Sequence, residues 1–151
     1  MLASMKSKFT KQELLKRACF RAAFLIHGRW EETGFSDTAY LDYLIVRDEL
    51  VHVGNSLKGT ECREHVVPRV LICYEAHSMF ADGATVEDVA KFIERHLKIV
   101  RISRPERKCL DGSAGMNLKE KMPSGWAFNR DSIYARLDAA GIEYRLFDER
   151  G

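Results

Sequence analysis

CREHVVPRV, residues 62–70, sets a carboxylate and an imidazole ahead of two β-branched residues and a proline. Val66 and Val67 favour extended backbone, whereas Pro68 removes an N–H and presets φ for a first helical turn. The stretch therefore hands an extended segment over to a helix. Three readings of it are open. Glu64 and His65 form a catalytic corner; or they end a strand, with His65 hydrogen-bonded to backbone; or Cys62 and His65, spaced C-x-x-H, make half of a zinc site.

Downstream, RVLICYEAHSMFADG continues from Pro68 as a helix that Gly83 terminates. Thr85 caps VEDVAKFIERHL, whose Val86, Val89, Ala90, Ile93 and Leu97 share one face, and KIVRIS follows as a short β-branched strand. Ser103 and Glu106 make a capping box for the short helix RPERKCLD, and DGSAGMNLKEKMPSGW has loop composition. A last helix is expected over Asp131–Ala140, ended by Gly141, before the strand IEYRLF.

Upstream, Thr10 and Glu13 form another capping box, opening a first helix expected to stop near His27 or Gly28. A second helix is expected over SDTAYLDYLIVRDEL, and VHVGNSLKGTEC then reads as a strand and an irregular turn. The sum is an α+β single domain, mostly helical with a small β element, with no internal repeat or heptad run.

Composition narrows the function classes. A chain of 151 residues, 46% hydrophobic and 30% charged, with three prolines and ten glycines, suits one globular domain. A net charge of +2 is too mild to mark a nucleic-acid binder, so any basic patch must be local. Cys19, Cys62, Cys73 and Cys109 are scattered without a C-x-x-C pair, which predicts reduced thiols in a cytoplasm. MLASMKSKFTKQ lacks an apolar signal core, and the apolar run Ala22–Ile26 falls far short of the roughly 20 residues of a membrane span, so no membrane partner is expected.

Glu64-His65-Val66-Val67-Pro68 resembles the first signature of the HNH, or His-Me finger, nucleases, in which a (D/E)-H-(V/I)-x-P segment ends one strand of a ββα-metal fold. The resemblance implies a metal-dependent endonuclease that hydrolyses DNA phosphodiester bonds. His65 would act as general base on water, and Glu64 would sit beside it at a Mg²⁺ or Mn²⁺ ion. It also implies a core over residues 61–111, with KIVRIS as second strand, RPERKCLD as the metal-bearing helix and residues 69–97 as a helical insertion. Residues 10–60 would form an N-terminal helical region, and 112–151 a loop, helix and strand.

On that helix Glu106 and Asp111 are the further carboxylate candidates for the metal, with Asn117 a substitute for the family's asparagine. The sequence departs from the family in having no short-spaced C-terminal N…H or H…H pair and no C-x-x-C knuckles. The alternative is a catalytically inactive nuclease-like binding protein, or a phage-type inhibitor acting on a protein partner.

A cationic run, Arg95, Lys98, Arg101, Arg104, Arg107 and Lys108, surrounds the expected second strand and metal helix. With Arg63 it supplies the candidates for nucleic-acid contact: Arg63, Arg101, Arg104, Arg107 and Lys108. His27, His52, His77 and His96 read as structural histidines. Trp126 and Phe128 read as hydrophobic anchors rather than base-stacking rings.

Overall fold

A computed structural model describes residues 7–148. Helix α1 (Lys11–Thr33) starts at the Thr10 capping box, with both reciprocal hydrogen bonds to Glu13 in place. It passes the expected stop at Gly28 and ends at Gly34, whose φ of 80° places it in the left-handed region a helix C-cap favours. A glycine inside a helix costs only about 1 kcal/mol relative to alanine. Here the last two turns gain packing that offsets it, because His27 and Trp30 lay their rings against Phe80 at 4.8 and 5.7 Å.

The expected second helix does not form as one element. Asp37 caps a 3-10 turn at Thr38–Leu41, and a single helical turn, α2 (Asp48–Val51), follows. The side chains of Asp42 and Asp48 instead reach across to Arg63 and Arg69, and Tyr43 and Leu44 between them remain exposed. Strands β1 (His52–Ser56) and β2 (Cys62–His65) come next, then α3 (Arg69–Ala81) and α4 (Val86–His96), the latter opened by the Thr85 capping box. Strand β3 (Ile99–Ile102) leads into α5 (Arg104–Asp111), which begins at Ser103 and spans the expected residues.

The last helix, α6, is confined to Ala135–Ala139 rather than running from Asp131. Asp131 and Ser132 are used in turns instead: Asp131 accepts from the Ala127 N–H, and the Ser132 hydroxyl accepts from the Tyr134 N–H. Strand β4 (Tyr144–Leu146) closes the sheet.

The four strands lie in the order β2-β3-β1-β4. β3 runs antiparallel to β2 and parallel to β1, and β1 runs antiparallel to β4. β2 and β3 are therefore neighbours despite the 33 intervening residues, and α5 follows β3 at once and packs on β2. Two antiparallel strands and a helix thus follow one another around α3 and α4. β1 is an interior strand of the same sheet.

Gly54 is required where β1 meets β4, since a Cβ there would lie 2.6 Å from the Arg145 carbonyl oxygen. The helical layer is built on α1, whose buried stripe of Leu15, Ala18, Cys19, Ala22, Ala23 and Ile26 is small enough to bring α4 and α3 close. Among the described residues no helix is long and apolar enough to cross a membrane.

Candidate active-site cleft

β2 is an edge strand, and its side chains alternate. Cys62 and Glu64 share one face, while Arg63 and His65 share the other. The Val66 N–H donates to the Lys98 carbonyl, which fixes the ladder: residues 62, 64 and 66 bond to the β3 side, and 63 and 65 turn their main-chain groups to the free edge. A cleft of about 440 Å³ runs over that edge and takes in residues from both faces of β2. Val66 and Val67, both fully buried, anchor the strand end, and Pro68, Arg69 and Val70 at the start of α3 complete the rim beside His65.

One wall holds the imidazole. Asp48 grips Arg63 bidentately at 2.6 and 2.8 Å, and Asp42 takes Arg69 at 3.1 Å. Burial, reinforced by the nearby charges of Arg69 and Arg63, lowers the His65 pKa to about 4, so the ring is neutral at physiological pH.

The other wall holds two carboxylates around a buried guanidinium. Arg136 on α6 has no exposed surface. Its Nη1 donates to the His65 carbonyl on the free edge at 2.7 Å, and its Nε donates to the Leu118 carbonyl at 2.9 Å. Nη2 lies 3.0 Å from Glu64 Oε1 and 3.9 Å from Asp111 Oδ1. Half-exposed Arg107 approaches the same pair, 4.0 Å from Glu64 and 3.6 Å from Asp111. Burial raises the Glu64 pKa despite Arg136, and the neighbouring Asp111 adds to the rise.

Of the residues selected from sequence, Arg63, Glu64, His65, Arg107 and Asp111 line this one cleft. Glu106 does not. Its Oε1 accepts from the Ser103 N–H at 2.9 Å and the Ser56 hydroxyl at 2.6 Å, so the capping box holds it away from the cleft. Arg101, Arg104 and Lys108 also lie outside the lining. Arg101 points toward the Thr60 carbonyl, while Arg104 and Lys108 are exposed on α5. The C-x-x-H half-site is not assembled, because residues three apart on a strand face opposite ways. His96 is buried with Nδ1 donating to the Phe92 carbonyl, as a structural histidine does, and Cys109 is exposed. Trp126 and Phe128 pack on each other, and Phe128 also meets Phe92 and His96, as anchors do.

The metal expected at Glu64, Asp111 and Glu106 can be tested against these positions. Glu106 is committed elsewhere, and among the described residues no three His, Cys, Asp or Glu side chains gather into a metal-binding group. Between the remaining two carboxylates stands the Arg136 guanidinium. The residues as arranged do not fit a divalent ion.

Arg136, Arg69 and Lys119 are cleft residues that the sequence motifs did not select. Arg136 had a legible signal. In SIYARLDAAGI it occupies the apolar stripe with Ile133, Leu137 and Ala140, where a charged residue must be paired to be buried. No family model matches the chain, and no curated protein and no solved structure is significantly similar to it.

Proposed function

We propose that this protein hydrolyses phosphodiester bonds of nucleic acid, most simply DNA, as an endonuclease with His65 as general base. The observation that carries the reading is a neutral imidazole lining a polar cleft between arginines on both walls. A phosphodiester drawn to Arg69, Arg107 and Lys119 would bring negative charge beside His65. That charge offsets the cations that depress its pKa and makes the ring a better base as substrate arrives. His65 then takes a proton from water, the resulting hydroxide attacks phosphorus, and the bond to the leaving oxygen breaks. Arg107 and Lys119 are the groups able to offset the charge that develops. Four free cysteines suit a reducing compartment such as the cytoplasm.

Plasmid nicking, assayed with chelator and with Mn²⁺, tests the reading. Wild type should nick in at least one condition, and His65→Ala should lose about 10²–10⁴-fold of that activity while melting cooperatively. Absence of nicking in both conditions, on single- and double-stranded substrates, refutes it. That result would favour a non-catalytic binding protein, a second reading that draws on the Arg63–Asp48 pair: a guanidinium already gripped bidentately has little left to offer a phosphate.

A further inference from the structure

We infer that Arg136 is the resident cation of this cleft: its guanidinium occupies a cage of oxygens that would otherwise suit a hard metal ion, and the site is built to work without one. Four oxygens surround the single nitrogen Nη2. They are Glu64 Oε1 at 3.0 Å, Asp111 Oδ1 at 3.9 Å, and the carbonyls of Leu118 and Lys119 at 2.5 and 3.4 Å. Two carboxylates and two carbonyls make an all-oxygen set of the kind that Ca²⁺, Mg²⁺ or Mn²⁺ accept. The cage is therefore chemically a cation site whose cation is covalently attached to α6.

Geometry and charge both support this. Arg136 is fully buried, and its remaining nitrogens are also committed, Nη1 to His65 O and Nε to Leu118 O. It cannot swing out to admit an ion without leaving several buried oxygens unpaired. Glu64 and Asp111 together carry two negative charges, and Arg136 with Arg107 supplies two positive ones. A divalent ion added to that balance would bring uncompensated charge into a buried site. Asp111 Oδ1 is buried without a hydrogen-bond partner, 3.9 Å from Nη2. It is the oxygen most dependent on whatever occupies the cage.

Arg136 is in this view a positioning residue. It supplies the counter-charge to Glu64 and Asp111 and holds the free-edge carbonyl of His65, so it orients the proposed base without touching substrate. The consequence for catalysis rests on the nuclease reading, but ion binding is measured without any activity, so the two fail separately.

The test is titration of the full chain with MnCl₂, followed by calorimetry and by paramagnetic broadening of amide resonances, in wild type and in Arg136→Met. Wild type should show no saturable binding at the cleft. Arg136→Met should melt at lower temperature without metal, regain part of the loss with Mn²⁺, and bind Mn²⁺ at least about tenfold more tightly than wild type. Broadening should centre on residues 64, 111, 118 and 119, and a further Asp111→Asn change should abolish it. Arg136→Lys, which keeps a cation there, should gain no binding.

Folding of Arg136→Met only when Mn²⁺ is added also supports the inference. Failure to fold with or without Mn²⁺, or folding without any gain in binding, overturns it. So does one Mn²⁺ bound to wild type at Glu64 and Asp111.

Discussion

His65 gives the most direct handle on the cleft, because burial displaces its titration far from that of a free imidazole. Its folded pKa is about 4, against the ordinary 6.5 of a free imidazole. A histidine whose pKa is depressed on folding contributes stability that is present above about pH 6.5 and is lost as pH falls toward 4. Between those limits the unfolded chain binds the proton and the native state refuses it. The loss from one such group has a slope of at most about 1.4 kcal/mol per pH unit. Glu64 acts oppositely, since its raised pKa favours the native state at low pH and loses that contribution as pH rises. We therefore expect the stability difference between wild type and His65→Gln to isolate the histidine. Denaturant melts at several pH values should show wild type losing ground to the variant below pH 6.5; a constant difference would mean that His65 titrates normally. Glu64→Gln tests the opposite wall. It keeps the shape but leaves the Arg136 charge with less compensation in the interior, so a loss of about 3–5 kcal/mol is expected. A change under 1 kcal/mol in chemical denaturation would show that Asp111 and the main-chain carbonyls are sufficient partners. Both side chains were conspicuous in EHVVP. Their partners were not, because Asp42, Asp48 and Arg136 become neighbours only when chain segments far from the motif pack around it.

Helix α5 divides its charged side chains between two tasks. Arg107 and Asp111, four residues apart, face the cleft, whereas Glu106 turns back to Ser103 and Ser56. Glu106→Gln should therefore lower stability, by roughly 1 kcal/mol for the weakened cap and hydroxyl contact, without altering binding of nucleic acid or of Mn²⁺. Equal melting temperatures together with a changed affinity would return Glu106 to the site. The starts of α4 and α5 were readable from Thr85 and Ser103 because N-capping is a local hydrogen-bond pattern, complete within four residues. The segment 36–47 departs from the expected helix for the opposite reason. Its apolar spacing is helical, but Asp42 is drawn into ion pairs with Arg63 and Arg69, and those long-range contacts outweigh weak local propensity. At Gly28 the error ran the other way, since packing against Phe80 carries α1 past a residue that usually weakens a helix.

Across the whole surface, a net charge of +2 leaves the proposed nucleic-acid binding to depend on where cations lie rather than on how many there are. Arg107 lines the cleft and Arg104 does not. Salt titration of DNA binding should thus separate them: Arg107→Ala is expected to make the slope of log affinity against log salt shallower by about 0.9, the value for one lost phosphate contact, and Arg104→Ala to leave it unchanged. Matching effects from both would place the footprint on the exposed side of α5 instead. Much of the architecture could be read from local order: strand to helix at Pro68, the boxes at Thr10 and Ser103, the cap at Thr85, the short strand KIVRIS and the α+β class. These depend on neighbours within a few residues, where hydrophobic period, capping chemistry and proline geometry act. Strand order, the placement of β1 inside the sheet, and the burial of Arg136 between Glu64 and Asp111 depend on contacts between residues 25 to 92 positions apart. No local pattern encodes such a pairing. A lone arginine in the apolar stripe of α6 announces that a partner is needed, and only the packed chain selects two carboxylates and the free edge of β2 as those partners.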